Sequence, residues 1–291
     1  MSDDLIRRLE RIATALERLT PQPPAQLDAL AGGGVFRWEP VSGQAVPVAR
    51  PRRIPLDLLL GVDDQKARLL ANVTRFARGQ PANHALLWGV RGGGKSALVK
   101  AVHATVAASS PKLALVEVAR GDIGTVPGLV ARLPAAARVI LFIDDLSFDA
   151  RDDGYKALKT VLDGGVDGSL AGDSGQVLVL VTSNRRHLVA RGDGSGEFRP
   201  DETAEEQISL SDRFGLWLGF HPMDQDTYLA VVRATCARLD LAAGDPELDA
   251  AALVWSRQRG ARSGRTAWQF VVDRAGALGR PVTFEPQEPR P

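Results

Sequence analysis

Apolar residues recur along this chain with two different periods, and the change of period divides it. Over residues 3–19, Leu5, Ile6, Leu9, Ile12, Ala13, Leu16 and Leu19 fall at helical spacing with Arg and Glu between them. That pattern predicts an amphipathic helix whose apolar face packs on its own domain or docks on a neighbouring subunit. Pro21-Gln22-Pro23-Pro24 and Ala31-Gly32-Gly33-Gly34 bracket a linker, and Val35–Glu39 and Ala45–Val48, separated by Ser42-Gly43, read as a small hairpin. From Pro55 onward short apolar runs alternate with helical patterns. Strands are expected at 84–88, 113–118, 138–143, 177–182 and 216–220, and helices at about 63–78, 95–108, 124–133 and 152–162. Asp63 or Asp64 is placed to cap the first of these helices. Runs as apolar as Val139-Ile140-Leu141-Phe142-Ile143 suit strands buried on both faces, so the alternation predicts a parallel sheet that binds ligands at the carboxyl ends of its strands. After Pro222 the signal is helical only, at about 224–240, 246–259 and 265–278, with Asp224 and Asp245 as N-caps and Pro246 in a first turn. The acidic, glycine-containing stretch 190–206 reads as an exposed loop, and the Pro- and Glu-rich tail from Arg280 as frayed.

Composition narrows this picture only slightly. A chain of 291 residues has room for one large domain or two smaller ones. With 36 basic and 35 acidic residues, net charge selects no partner, and any polyanion-binding surface must be local. The one basic cluster, Arg50-Pro51-Arg52-Arg53, reads as a solvated connector or as such a contact. A single cysteine, Cys236, excludes an intramolecular disulfide and a multi-cysteine zinc site, and its helical context makes it a small core residue. With no apolar run of bilayer length, no membrane insertion and a cytoplasmic location are expected.

Candidate chemistry lies where strands meet helices. Gly89-Val90-Arg91-Gly92-Gly93-Gly94-Lys95-Ser96-Ala97 follows an apolar run and opens a helix, and its Gly89, Gly94, Lys95 and Ser96 fit G-x-x-x-x-G-K-S/T. Glycines at those places let backbone N–H groups converge on phosphate oxygens, and the helix N-terminus adds positive partial charge. Lys95 would reach the β- and γ-phosphates of ATP, and Ser96 would hold Mg²⁺. Asp144 and Asp145 close an apolar strand some fifty residues later. Asp144 is the second metal-site residue, and Asp145 is placed to polarise the attacking water. Asn184 ends the following strand, where its amide would orient the same water.

These residues, in this order, resemble an AAA+ ATPase over about residues 55–280. More narrowly, Asp144-Asp145-Leu146-Ser147-Phe148, Thr182–Leu188, Leu210–Leu216 and Arg262-Ser263-Gly264-Arg265 resemble a bacterial ATP-binding family classed as domain of unknown function 815. The resemblance implies a three-layer αβα sandwich around a parallel five-stranded sheet, followed by a small all-helical lid. It divides the chain at 1–54, 55–222, 223–280 and 281–291. It also implies that Lys95 and Ser96 are Walker A residues, Asp144 and Asp145 Walker B, and Asn184 sensor 1. Arg213 would be an arginine finger acting on the neighbouring subunit's nucleotide, and Arg265 sensor 2, with Arg262 as the competing choice. Gly61 and Val62 would line the adenine pocket. Cofactors would be ATP and Mg²⁺, the assembly a homo-oligomeric ring or partial ring, and the partner an unidentified protein or nucleic acid. Where most of these proteins have Asp-Glu, this chain has Asp-Asp, so hydrolysis that remodels a partner competes with a nucleotide-dependent switch or loader that hydrolyses little. A P-loop kinase is a third reading, disfavoured by the arginine order.

Overall fold

The computed structural model describes residues 27–147, 153–163, 175–184, 210–241, 246–282 and 284. The helix expected at 3–19 and the loop at 190–206 lie outside them. The strands are β1 (Gly34–Glu39), β2 (Gln44–Pro47), β3 (Ala85–Gly89), β4 (Leu113–Val118), β5 (Arg138–Ile143), β6 (Val177–Ser183) and β7 (Leu216–Phe220). The helices are α1 (Asp63–Ala77), α2 (Lys95–Ser109), α3 (Val126–Val130), α4 (Asp153–Asp163), α5 (Gln225–Arg238), α6 (Leu248–Gln258) and α7 (Gly264–Ala277).

The central strands alternate between two apolar faces. Val139, Leu141 and Ile143 of β5, with Val177, Val179 and Val181 of β6, belong to one core cluster, which also holds Leu129 and Leu158 of α3 and α4. Ile140 and Phe142, with Leu178 and Leu180, belong to a second cluster with Leu69 and Val73 of α1 and Leu98 and Val102 of α2. A strand that is apolar at every position can be buried only if both faces are covered, and the result is three layers.

The sheet order is β2-β1-β4-β5-β6-β3-β7, seven strands instead of the expected five. The additional pair is the hairpin, whose β1 runs parallel to β4 from Gly34↔Ala114 to Arg37↔Glu117, while β2 is antiparallel to β1. Pairing satisfies the backbone groups that the edge of β4 would otherwise expose. Trp38, nearly fully buried, anchors the addition by donating its indole N–H to Thr125 Oγ1 at 2.8 Å.

Other departures have local causes. The helix expected at 124–133 shortens to α3 behind a 3-10 turn, Arg120–Thr125, because Gly124, Pro127 and Gly128 crowd a single turn and Pro134 bars continuation. Val62, not an aspartate, occupies the N-cap of α1. Asp63 and Asp64 lie in the first turn, where they complement the helix dipole. Helix α6 begins at Leu248 with Glu247 at its cap, so Pro246 precedes the helix, and Asp245 is outside the described residues. Asp224 does cap α5, accepting from Thr227 N at 2.8 Å.

The three C-terminal helices enclose their own core of Tyr228, Val232, Cys236, Leu248, Phe270 and Val271. The buried Tyr228 hydroxyl donates to Ala252 O at 3.1 Å, tying α5 to α6. Val282 packs against this core, and residues 283 and 285–291 of the expected tail lie outside the described residues.

Candidate nucleotide site

Adjacency of β5, β6 and β3 decides where the site falls. All three run parallel, and their carboxyl ends carry Asp144, Asn184 and the glycine-rich loop in that spatial order. Residues far apart in sequence thereby reach one edge of the sheet, as open α/β sheets commonly arrange.

The loop's geometry explains its glycines. Gly89 has φ +126°, and a Cβ there would stand 2.0 Å from Phe220 O, because the end of β7 lies directly against it. Gly94 has φ +94°, and a Cβ there would meet only Leu59 Cδ2 at 4.0 Å, so its requirement is backbone conformation alone, at the residue that precedes α2. Lys95 opens α2, and its ammonium turns back on the loop. Its Nζ donates to Gly89 O at 2.9 Å, Val90 O at 2.8 Å and Asn184 Oδ1 at 3.1 Å. Burial lowers its pKa, opposed by the nearby carboxylates of Asp145 and Asp144.

Ser96, one residue on, donates to Asp144 Oδ1 at 2.5 Å. The same oxygen accepts from Thr182 Oγ1, also at 2.5 Å. Asp145 adopts φ +52°, an uncommon backbone conformation for a residue with a side chain. Its N–H donates to Thr182 Oγ1 at 2.8 Å, and its carboxylate accepts from Asn184 Nδ2. Thr182 thus fixes both aspartates, a role not expected from the sequence. Asn184 bridges Lys95 and Asp145 through the two ends of its amide.

A cavity of about 590 Å³ opens above these groups, between the sheet and the helical unit. Arg91, Lys95, Ser96, Asp144, Asp145 and Asn184 line one part of it, and Gly92, Gly93, Gly94 and Ala97 complete the loop. Arg265, near the start of α7, also lines it, next to Gly92 of the loop, while Arg262 is absent from the lining. The rest is mostly apolar: Ile54, Leu58, Leu59, Leu60, Val62, Met223 and Val231, with Trp268 and Phe284, while Thr182 and Thr235 add hydroxyl groups. Trp268 and Phe284 face each other at 5.5 Å between ring centroids. Sequence reasoning missed both. Trp268 carries a usable signal, lying three residues after Arg265 on the same helix face; Phe284 comes from the tail.

Some expected site residues lie outside the lining. Gly61, with φ +75°, packs against Thr227, and Gly89 and Val90 contribute only the carbonyls that hold Lys95. Arg213 is not in the cavity lining either; its Nε donates to Asp163 at the end of α4, a bond that raises its pKa.

As a donor set, Ser96 and Asp144 offer hard oxygen ligands, and no group of three or more His, Cys, Asp or Glu able to hold a metal occurs among the described residues. That set fits Mg²⁺, which retains waters and phosphate oxygens and needs one or two protein ligands.

Strand order, glycine-rich loop and helical unit together define the AAA+ P-loop fold. The sequence profile of the family described as "Protein of unknown function (DUF815)" matches residues 33–278, and the chain belongs to that family. No curated protein matches the sequence. Among solved structures, Aeropyrum pernix ORC1 in complex with DNA is similar with a TM-score of 0.52 and 16% identity, covering 79% of this chain and 67% of that one. A variant of Thermotoga maritima RuvB is similar with a TM-score of 0.52 and 18% identity, covering 79% and 69%. The chain therefore spans about two thirds of the structures it matches. No helix among the described residues is long and apolar enough to cross a membrane.

Proposed function

We propose that the protein binds Mg²⁺-ATP in this cavity and hydrolyses it, coupling turnover to assembly with copies of itself and to remodelling of a protein or nucleic-acid partner. The observation that carries the reading is the gathering of Lys95, Ser96, Asp144, Asn184 and Arg265 around one concavity whose remainder is mostly apolar. A triphosphate suits the first group and a nucleobase the second.

In this mechanism the backbone N–H groups of the loop and the start of α2 hold the phosphates. Lys95 exchanges part of its hold on Gly89, Val90 and Asn184 for phosphate oxygens, and Ser96 and Asp144 would hold the metal. Mg²⁺ held there would neutralise charge on the β- and γ-phosphate oxygens. Asp145 accepts the proton of the attacking water, oriented by Asn184. Arg265 reaches the γ-phosphate from the helical unit, which we take to be a lid of residues 223–280 on a nucleotide-binding domain of residues 55–222. Arg213, exchanging Asp163 for a neighbour's nucleotide, completes the adjoining site in a ring or partial ring. A cytoplasmic location accords with this role.

One observation favours a slower enzyme, closer to a switch. Asp145 is a methylene shorter than the usual glutamate, and Asn184 already holds its carboxylate. Displacement of a catalytic group by about 1 Å costs on the order of a hundredfold in rate. Phosphate release measured against protein concentration tests both readings. Turnover per subunit should rise with concentration and be lost in Asp145→Ala. Tight ATP binding with no release at any concentration would support the switch, and absence of ATP binding would reject both.

A further inference from the structure

A second concavity, of about 230 Å³, opens between the hairpin, the connector that follows it, α2 and β4. It shares no lining residue with the nucleotide cavity. Arg50, Arg52 and Arg53 of the connector line it with Lys100, His103 and Glu117. Four fixed positive charges therefore face one carboxylate, and that carboxylate is engaged by Lys100 at 3.0 Å.

Arg37, Arg68, Arg213, Arg233 and Arg280 each pair with a carboxylate, whereas Arg50, Arg52 and Arg53, like Arg78, Arg91 and Arg257, make no side-chain ion pair or hydrogen bond among the described residues; what sets the three apart is that they line one groove. All three are exposed, and guanidinium groups lining one groove raise the local concentration of anions. Pro51 and Pro55 restrict the connector, so the charges are held near one another at reduced entropic cost.

His103 supplies an independent observation. It is 3% exposed, and its Nε2 lies 3.1 Å from Leu113 O, which can only accept, so Nε2 carries the proton. Its Nδ1 has no partner among the described residues, although the ring lines the groove. Burial lowers the His103 pKa, with a smaller contribution from Arg53, against the Leu113 hydrogen bond, which raises it. A bound anion would reverse that balance and let Nδ1 become a donor.

We propose that this groove binds a phosphate group, carried either by a small phosphorylated compound or by a nucleic-acid backbone. Planar guanidinium forks match phosphate oxygens in pairs, which suits them to this ligand better than to a lone carboxylate.

The test follows the His103 ring by NMR in the full chain, with its signals assigned through His103→Gln, so that phosphate bound at the nucleotide loop is not mistaken for phosphate in the groove. Inorganic phosphate should shift these signals and raise the His103 pKa. Replacing Arg50, Arg52 and Arg53 together by Ser should weaken the effect at least about tenfold, replacement by Lys should weaken it less, and Lys95→Ala should leave it unchanged. A second arm measures anisotropy of a labelled 20-nucleotide thymidylate strand. Binding that is lost in the triple Ser variant, with the slope of log affinity against log salt falling by about 2, identifies a nucleic-acid backbone. A phosphate response without oligonucleotide binding identifies a small phosphorylated ligand. The proposal is overturned if phosphate leaves His103 unmoved and the triple variant binds the oligonucleotide as wild type does, or if neither probe binds.

Discussion

Lys95 shows how one side chain can be both stably buried and ready to change partners. Its three donors are satisfied by two carbonyls and an amide oxygen, all uncharged, so the ammonium is hydrogen-bonded but is not locked into a contact ion pair. An incoming phosphate is a stronger acceptor than any of the three. Lys95→Ala should therefore weaken ATP binding by roughly 10- to 100-fold, the equivalent of one or two charge-assisted bonds, as equilibrium titration would show. Asp145 has the complementary position, held by its own backbone turn and by Asn184 instead of by phosphate. Asp145→Ala should leave ATP affinity within about threefold while reducing turnover at least about a hundredfold. His84 carries a separate pH dependence. Its Nδ1 accepts from Val179 N at 3.0 Å, and burial pushes its pKa down to about 4. Because the folded value lies below the unfolded value of about 6.5, its contribution is complete above pH 6.5 and is lost as pH falls towards 4. The loss should be on the order of 3 kcal/mol, read as a fall in unfolding free energy between pH 7 and pH 4 that is smaller in His84→Asn.

Among the elements, the loop between β3 and α2 is the most tightly specified. Gly89→Ala would drive a methyl group into Phe220 O at a φ that L residues avoid, so β7 or the loop must shift. A loss of about 2–4 kcal/mol in urea unfolding is expected, against about 1 kcal/mol for Gly94→Ala, where only the conformation is strained. This contrast also explains what the sequence could and could not convey. The strands were legible because an all-apolar run such as Val139–Ile143 has few alternatives, and the loop was legible because its glycine spacing has a steric cause. Where the hairpin docks was not legible: an edge strand's partner depends on which backbone groups remain unpaired after the sheet has formed, and the edge of β4 carries no local signature. One contact near the tail was not legible for a similar reason: Phe284 meets Trp268, sixteen positions upstream. Asp144, Asp145 and Asn184 could be read as strand ends, but Thr182, which connects both aspartates, lay within an apolar run and resembled an ordinary strand residue.

Viewed as a whole, the molecule places one cavity between a rigid sheet and a helical unit with a separate core, so closure on a ligand requires the two to move together. Contact already exists: a Cβ at Gly92 would stand 2.9 Å from Ser263 Oγ, the cap of α7. Any rearrangement of the loop is thereby felt at Arg265, two residues further on. Trp268 and Phe284 should hold the base. Phe284→Ala is expected to weaken ATP about tenfold and leave inorganic tripolyphosphate unaffected, because only the former has a ring to stack. The central claim is that Lys95, Ser96 and Asp144 grip one metal-bound nucleotide, and equilibrium binding of ATP with and without magnesium to wild type and Ser96→Ala tests it most directly. Micromolar binding that strengthens with magnesium in wild type, with the magnesium effect lost in Ser96→Ala, is the predicted result. Failure of the wild-type protein to bind ATP or ADP under either condition would contradict it.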